Sequence, residues 1–99
     1  MPIEIERREH ERFPCETTIL HDTSPPDFFH KGIMYNFSKK GLYFESNEHL
    51  LQGHEISISI NKPPQQFAIR PRQIFSIKIM WYQELQGSSY QSGYGAKII

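Results

Sequence analysis

Three arginines near the start of the chain, Arg7, Arg8 and Arg12, are the side chains best suited to holding an anion. Arg8 and Arg12 stand four residues apart. Each guanidinium offers a planar fork of donors that matches phosphate oxygens, matches the O6 and N7 acceptors of a guanine edge, and can stack on a base. Two such forks suit a dianionic guanine nucleotide. The same spacing also fits a solvated arm whose arginines pair with Glu4, Glu9 or Glu11, since surface ion pairs of that kind are frequent and weak. Downstream, Asn36, Ser38 and Gly41 form a second constellation, Asn-x-Ser-x-x-Gly. The amide can donate and accept at once, the hydroxyl adds one adjustable hydrogen bond, and the glycine lets backbone and ligand approach closely. The plain alternative is a strand end followed by ordinary turn residues.

The elements that must position these groups read as strands. From Glu16 onward apolar and polar residues alternate, the two-residue period of half-buried strands rather than the 3.6-residue period of helices. Ile56, Ile58 and Ile60 share one face and Ser57 and Ser59 the other, and Asn61-Lys-Pro-Pro ends that strand. Thr17 to His21 is a first strand, followed by the turn Asp22-Thr-Ser-Pro-Pro. Ile33, Tyr35 and Phe37 form one face of the next, which leaves Asn36 and Ser38 on the face away from the core. Gly41 closes a hairpin at a position expected to need φ > 0, and Leu42 and Phe44 open the following strand. Asn47 to Gln52 is expected to be a loop containing one turn of helix, ended by Gly53. Phe75, Ile77, Ile79 and Trp81 share one parity, and after the turn Gly87-Ser-Ser a last strand from about Gln91 to Ile99 carries Tyr94, Ala96 and Ile98 inward. About six strands with short connections predict an all-β fold, a small antiparallel barrel or split barrel. The predicted organisation is a charged arm over residues 1–14, interrupted by Phe13-Pro14, and a barrel over residues 15–99.

Composition excludes several functions. Ninety-nine residues make one domain, and with 37% hydrophobic residues its core is small. Eleven Lys plus Arg balance eleven Asp plus Glu, a net charge of zero that argues against a basic face for nucleic acid. An anionic ligand must then be met by a local cluster of arginines, which points to a small molecule. No apolar run approaches the ~20 residues that span a bilayer, and no leader pattern opens the chain, so the expected compartment is the cytoplasm.

The two constellations, in their order and together with the strand patterns downstream of them, resemble the PilZ domain, the bacterial receptor module for cyclic di-GMP. The resemblance rests on Arg8 and Arg12, then Asn36, Ser38 and Gly41, then Leu42 opening a strand. It continues through Gly53 before the alternating Glu55–Ile60, through Ile79-Met-Trp81, and through the closing Tyr94-Gly-Ala-Lys-Ile98. It covers about Arg7 to Ile98, and its two motifs are specific only in combination. It implies a six-stranded β-barrel with the arginine motif on an N-terminal switch segment. It implies that Arg8 and Arg12 clamp phosphates and guanine edges, that Asn36 and Ser38 contact a guanine, and that Gly41 keeps the hairpin tight. Arg7 would stack on or bond a base, a position tied in this family to binding one ligand or an intercalated pair, so a homodimer is compatible with it. The implied function is a cytoplasmic receptor that binds cyclic di-GMP and signals to an effector protein by conformational change. The alternative is an adaptor of the same fold that acts through protein contact without the nucleotide. Many members continue into a helix after the last strand, whereas this sequence ends at Ile99; either no helix packs there or another chain covers that face.

Other signals carry less. His10, His21, His30, His49 and His54 fall in no ligand-type pairing, so no metal or other cofactor is expected. No nucleophile with a base and no paired carboxylates form a catalytic motif, so no enzyme is expected. Cys15 is expected to be a buried structural thiol. The aromatic residues could be a stacking platform for single strands, but the neutral charge argues against it and core packing accounts better for Tyr35 and Trp81. Lys62 to Gln73 is expected to be a surface loop.

Overall fold

A computed structural model of the chain describes residues 13–22, 29–64 and 69–99. Arg7, Arg8 and Arg12 lie outside the described residues, with the rest of the expected arm up to residue 12, whereas Phe13 and Pro14, read as its end, belong to the first strand. Six strands run in order: β1 (Phe13–Asp22), β2 (Phe29–Phe37), β3 (Gly41–Ser46), β4 (Glu55–Ile60), β5 (Ile74–Glu84) and β6 (Ser92–Ile98). The first begins at Phe13, ahead of the Thr17 start read from the alternation. The spatial order β1-β2-β3-β6-β5-β4 closes into a barrel because β4 pairs back onto β1, and every pairing is antiparallel. Closure removes the sheet edges that an open six-stranded sheet would expose, except where β5 runs on past β4.

The alternation of β3, β4 and β6 delivers the core as expected. Leu42, Phe44, Ile58, Ile60, Tyr94 and Ala96 point inward, joined by Ile19 from β1. Fully burying an aliphatic side chain of this size contributes ~1.5–3 kcal/mol. Strand β2 departs from the simple parity. Met34 and Phe37 are buried while Ile33 and Tyr35 are only half-buried. The cause is a register shift against β3: Met34 faces Phe44 and Asn36 faces Tyr43, so Tyr35 is an extra residue that flips the faces on either side. Strand β5 does the same. Ile77 and Ile79 are buried, the register against β6 then shifts between Ile79 and Trp81, and Trp81 emerges on the outside opposite Gly95. Neither Tyr35 nor Trp81 belongs to the core, contrary to the expectation from composition.

Two local expectations are also corrected. No helix occurs among the described residues, so the turn expected over 47–52 is an irregular segment. It carries Leu50 into the barrel, where the Leu50 N–H donates to the Tyr94 hydroxyl at 3.0 Å and that hydroxyl donates to the Glu48 carbonyl at 2.6 Å. With those polar groups satisfied from β6, the segment needs no helical bonds. Gly41 has no positive φ; the glycines that do are Gly53 and Gly87. Gly41 is required for closeness instead, since a Cβ there would lie 2.6 Å from the Ala96 carbonyl oxygen.

Candidate functional site

The connection from β2 to β3 is built around one hydroxyl. The Ser38 N–H donates to the Gly41 carbonyl at 2.8 Å, and Ser38 Oγ donates to the same oxygen at 3.2 Å. That Oγ also accepts from the Gly41 N–H at 3.1 Å and from the Lys40 N–H at 3.4 Å. A serine hydroxyl has one donor and two acceptor positions, so all of them are used inside the turn. Ser38 is accordingly buried, at 5% exposure, and it shapes the hairpin rather than presenting an open hydroxyl on the surface. Asn36 is half-buried, and its register opposite Tyr43 puts it on the outer face, as read from the sequence. On its other side the strand start is adjacent: Phe13 pairs with Phe37 and Pro14 with Asn36.

Beside this hairpin lies a surface that the alternation pattern did not reveal. Gly93 and Gly95 face outward from β6, between the inward Tyr94 and Ala96, and carry no side chain. Tyr43 from β3 closes over Gly93 and Trp81 from β5 over Gly95, and a Cβ at either glycine would collide with those rings. The two rings stack at 5.7 Å between centroids and 24° between planes, with Tyr35 next in line at 6.3 Å from Tyr43. The Tyr43 hydroxyl donates to Glu45 Oε2 at 3.2 Å and accepts from Gln83 Nε2 at 3.4 Å, which fixes the ring. Burial, with the Glu45 charge adding to it, holds the Tyr43 phenol above its ordinary range and therefore neutral. Between Trp81 and the hairpin is a hollow of about 220 Å³ lined by Lys40, Gly41, Met80, Trp81, Gly95, Ala96 and Lys97. It is smaller than the ~300–1,000 Å³ of pockets that enclose a whole small ligand. It can take one ring or one phosphate of something larger, with a flat indole on one side and two ammonium groups at the rim. The signal available in the sequence was Gly93-x-Gly95 on one strand face, which implies that neighbouring large side chains lie across it.

A second polar group is buried at the other end of β1. His21 is fully buried, with Nε2 2.8 Å from Ser46 Oγ and its ring against those of Phe44 and His30. His30 in turn approaches Glu48 at 3.3 Å. Desolvation is the main reason that the His21 pKa lies below its ordinary 6.5. Among the described residues no three metal-ligating side chains come together. Cys15 is half-buried against the core, its thiol directed at the Lys62 carbonyl at 3.7 Å, and burial raises its pKa. A larger hollow of about 430 Å³ lies on a different seam, between β1 and β4, with Arg72 at its margin. No helix among the described residues is long and apolar enough to cross a membrane.

Comparison with known proteins agrees with the barrel and with the family resemblance of its sequence. The PilZ domain of YcgR from Escherichia coli, solved with c-di-GMP, superposes with a TM-score of 0.71 at 13% identity, over 95% of this chain and 79% of that one. The Bacillus subtilis inhibitor of motility, MotI/DgrA, superposes with a TM-score of 0.70 at 16% identity, over 100% of this chain. This chain spans about half of that structure, 47% of its length. No curated protein sequence matches the chain. The family model described as the PilZ domain matches residues 6–98, and the chain belongs to that family.

Proposed function

We propose that the chain is a cyclic di-GMP receptor that binds the nucleotide on the outer face of the barrel beside the 38–41 hairpin, with Arg7, Arg8 and Arg12 completing the site. The observation that carries this reading is the register of β1 on β2. Phe13 faces Phe37 and Pro14 faces Asn36, so the chain enters the barrel alongside the hairpin. Arg12 is joined to Phe13 by one peptide bond, a Cα separation of ~3.8 Å, and Arg8 is five residues away, within ~17 Å of extended chain. Both arginines of the motif are therefore within reach of the hairpin and of the hollow next to it.

The division of labour comes from the chemistry of each group. The guanidinium forks of Arg8 and Arg12 take phosphate oxygens and guanine edges, and Arg7 stacks on or bonds a base. Asn36 offers a donor and an acceptor on the same outer face, and Ser38 and Gly41 act by holding the turn in place. Lys40, Lys97 and Trp81 join the set: two cations for phosphate and an indole face for a guanine ring. The arginine bonds form only in the bound arrangement. They supply the differential free energy that orders the Arg7 to Arg12 segment across the barrel, and so change the surface offered to an effector protein. The chain acts as a receptor in the cytoplasm of a bacterium, without catalysis.

The test is a titration of isotopically labelled protein with cyclic di-GMP, monitored through amide and indole resonances. Shifts centred on Gly41, Lys97 and the Trp81 indole are expected. A folded protein whose resonances stay fixed is instead an adaptor that does not use the nucleotide.

A further inference from the structure

Strand β5 is longer than the barrel requires. Its first half, Ile74 to Lys78, pairs with β4, and the last bonds on that side join Ile79 to Gly53 and His54. Its second half runs on to Glu84 beside β6, with no β4 residue opposite it. The Leu85 N–H donates to the Gln91 carbonyl at 2.8 Å. Backbone groups alternate in direction along an antiparallel ladder, so Gln83 and Trp81 also turn theirs toward β6. Tyr82 and Glu84 turn their N–H and C=O groups to the opposite edge, where no described residue pairs with them.

The exposed side chains around that edge are largely apolar, with Gln83 and Glu84 following them on the strand and the His49 ring edge-on to Tyr82. The bulge leaves three large consecutive residues in solvent, Met80 at 43%, Trp81 at 42% and Tyr82 at 47% exposure. Leu51, 48% exposed, lies in the segment whose Gly53 bonds Ile79 at the start of the open edge. Four of the seven large apolar side chains exposed among the described residues therefore border one stretch of backbone. Edges left in solvent are ordinarily blunted by lysine, proline or an inward charge. Residues 80–84 contain no lysine and no proline.

We infer that this edge joins two copies of the chain, β5 to β5, antiparallel about a two-fold axis at Gln83. The register is set by which groups are unpaired and by charge. Only Tyr82 and Glu84 present backbone groups, and setting Tyr82 of one copy opposite Glu84 of the other lets each pair exchange two N–H···O bonds. Sliding by one pair in one direction sets Glu84 against Glu84, which like-charge repulsion disfavours. Sliding in the other sets Glu84 against Met80, inside the bulge, where the ladder is broken. In the retained register each Glu84 carboxylate lies beside a Tyr82 phenol, Gln83 faces Gln83, and no like charges are opposed. The chain's zero net charge adds no long-range repulsion between copies. A self-complementary edge of this kind is what a two-fold dimer uses.

Sedimentation velocity of the nucleotide-free chain over a dilution series tests this independently of ligand binding. The expected result is a species of twice 11.7 kDa that dissociates on dilution. Gln83→Lys sets two ammonium groups across the axis and should raise the dimer dissociation constant at least tenfold, with an unchanged circular dichroism spectrum. In a Cys15→Ser background, Gln83→Cys should form an intermolecular disulfide under mild oxidation, because facing residues in a non-hydrogen-bonded pair have Cα atoms about 4.5 Å apart. Asn61→Cys, exposed beyond the far end of β4, should not. A monomer at every concentration with no disulfide in the Gln83→Cys chain overturns the proposal. So does a dimer indifferent to Gln83→Lys, which would assign the contact to another face.

Discussion

Ser38 shows how a single hydroxyl can build the turn that carries a motif. The spacing Asn36-x-Ser38-x-x-Gly41 marks the hairpin in the sequence, but spacing alone does not say whether the hydroxyl serves a ligand or the turn. Its three bonds to Lys40 and Gly41 place it in the turn. Ser38→Ala should therefore lower stability by about 1 kcal/mol, the net worth of such bonds, seen as a lower urea midpoint with an unchanged slope. An unaltered midpoint would mean that the turn does not need the hydroxyl. His21 was legible only as a histidine without a ligand partner; its burial depends on β1, β2 and β3 meeting, which no local pattern reveals. Desolvation, with the His30 charge adding, keeps its folded pKa low against the opposing pull of Asp22 and Glu48. Below about 6.5 the unfolded chain takes up a proton that the folded chain resists, so stability falls as pH drops through that value. Melting temperatures between pH 7 and pH 5 should decline less steeply in His21→Gln than in the parent. An equal slope in both would remove His21 as the cause.

At the scale of elements, the strands were readable and the bulges were not. Strict alternation in β3, β4 and β6 identified their inward faces from residue types alone, because a one-residue slip would have exposed every apolar side chain. In β2 and β5 a single inserted residue, Tyr35 and Met80, reverses the parity partway along, and nothing in the local composition signals an insertion. Trp81 is the consequence: read by parity as core, it lies outside on Gly95. Trp81→Ala is expected to weaken cyclic di-GMP binding at least tenfold while costing under about 1 kcal/mol of stability, the range of a cross-strand pair. Trp81 is the chain's one tryptophan, so its emission reports the contact directly, and quenching that saturates with nucleotide is expected. Unchanged emission at saturation would take the indole out of the site.

For the molecule as a whole, the β1–β2 pairing brings the start of β1 beside the β2–β3 hairpin and the β3–β6 pairing sets β6 along β3, so that residues from both ends of the barrel sequence border one patch of surface. The family resemblance gave the fold and both motifs, whereas the hollow with Lys40, Trp81 and Lys97 needed the three-dimensional register. The proposed receptor role depends on Arg8 and Arg12 holding cyclic di-GMP. Isothermal titration of the chain with cyclic di-GMP tests it most directly, with cyclic di-AMP and GTP as controls and Arg8→Ala and Arg12→Ala variants alongside. Saturable, selective heat is expected for the parent and its loss in both variants, with variant melting temperatures close to the parent's and a molar ratio near one or two separating a single ligand from an intercalated pair. No heat from a folded parent, or full binding retained in both arginine variants, would contradict it.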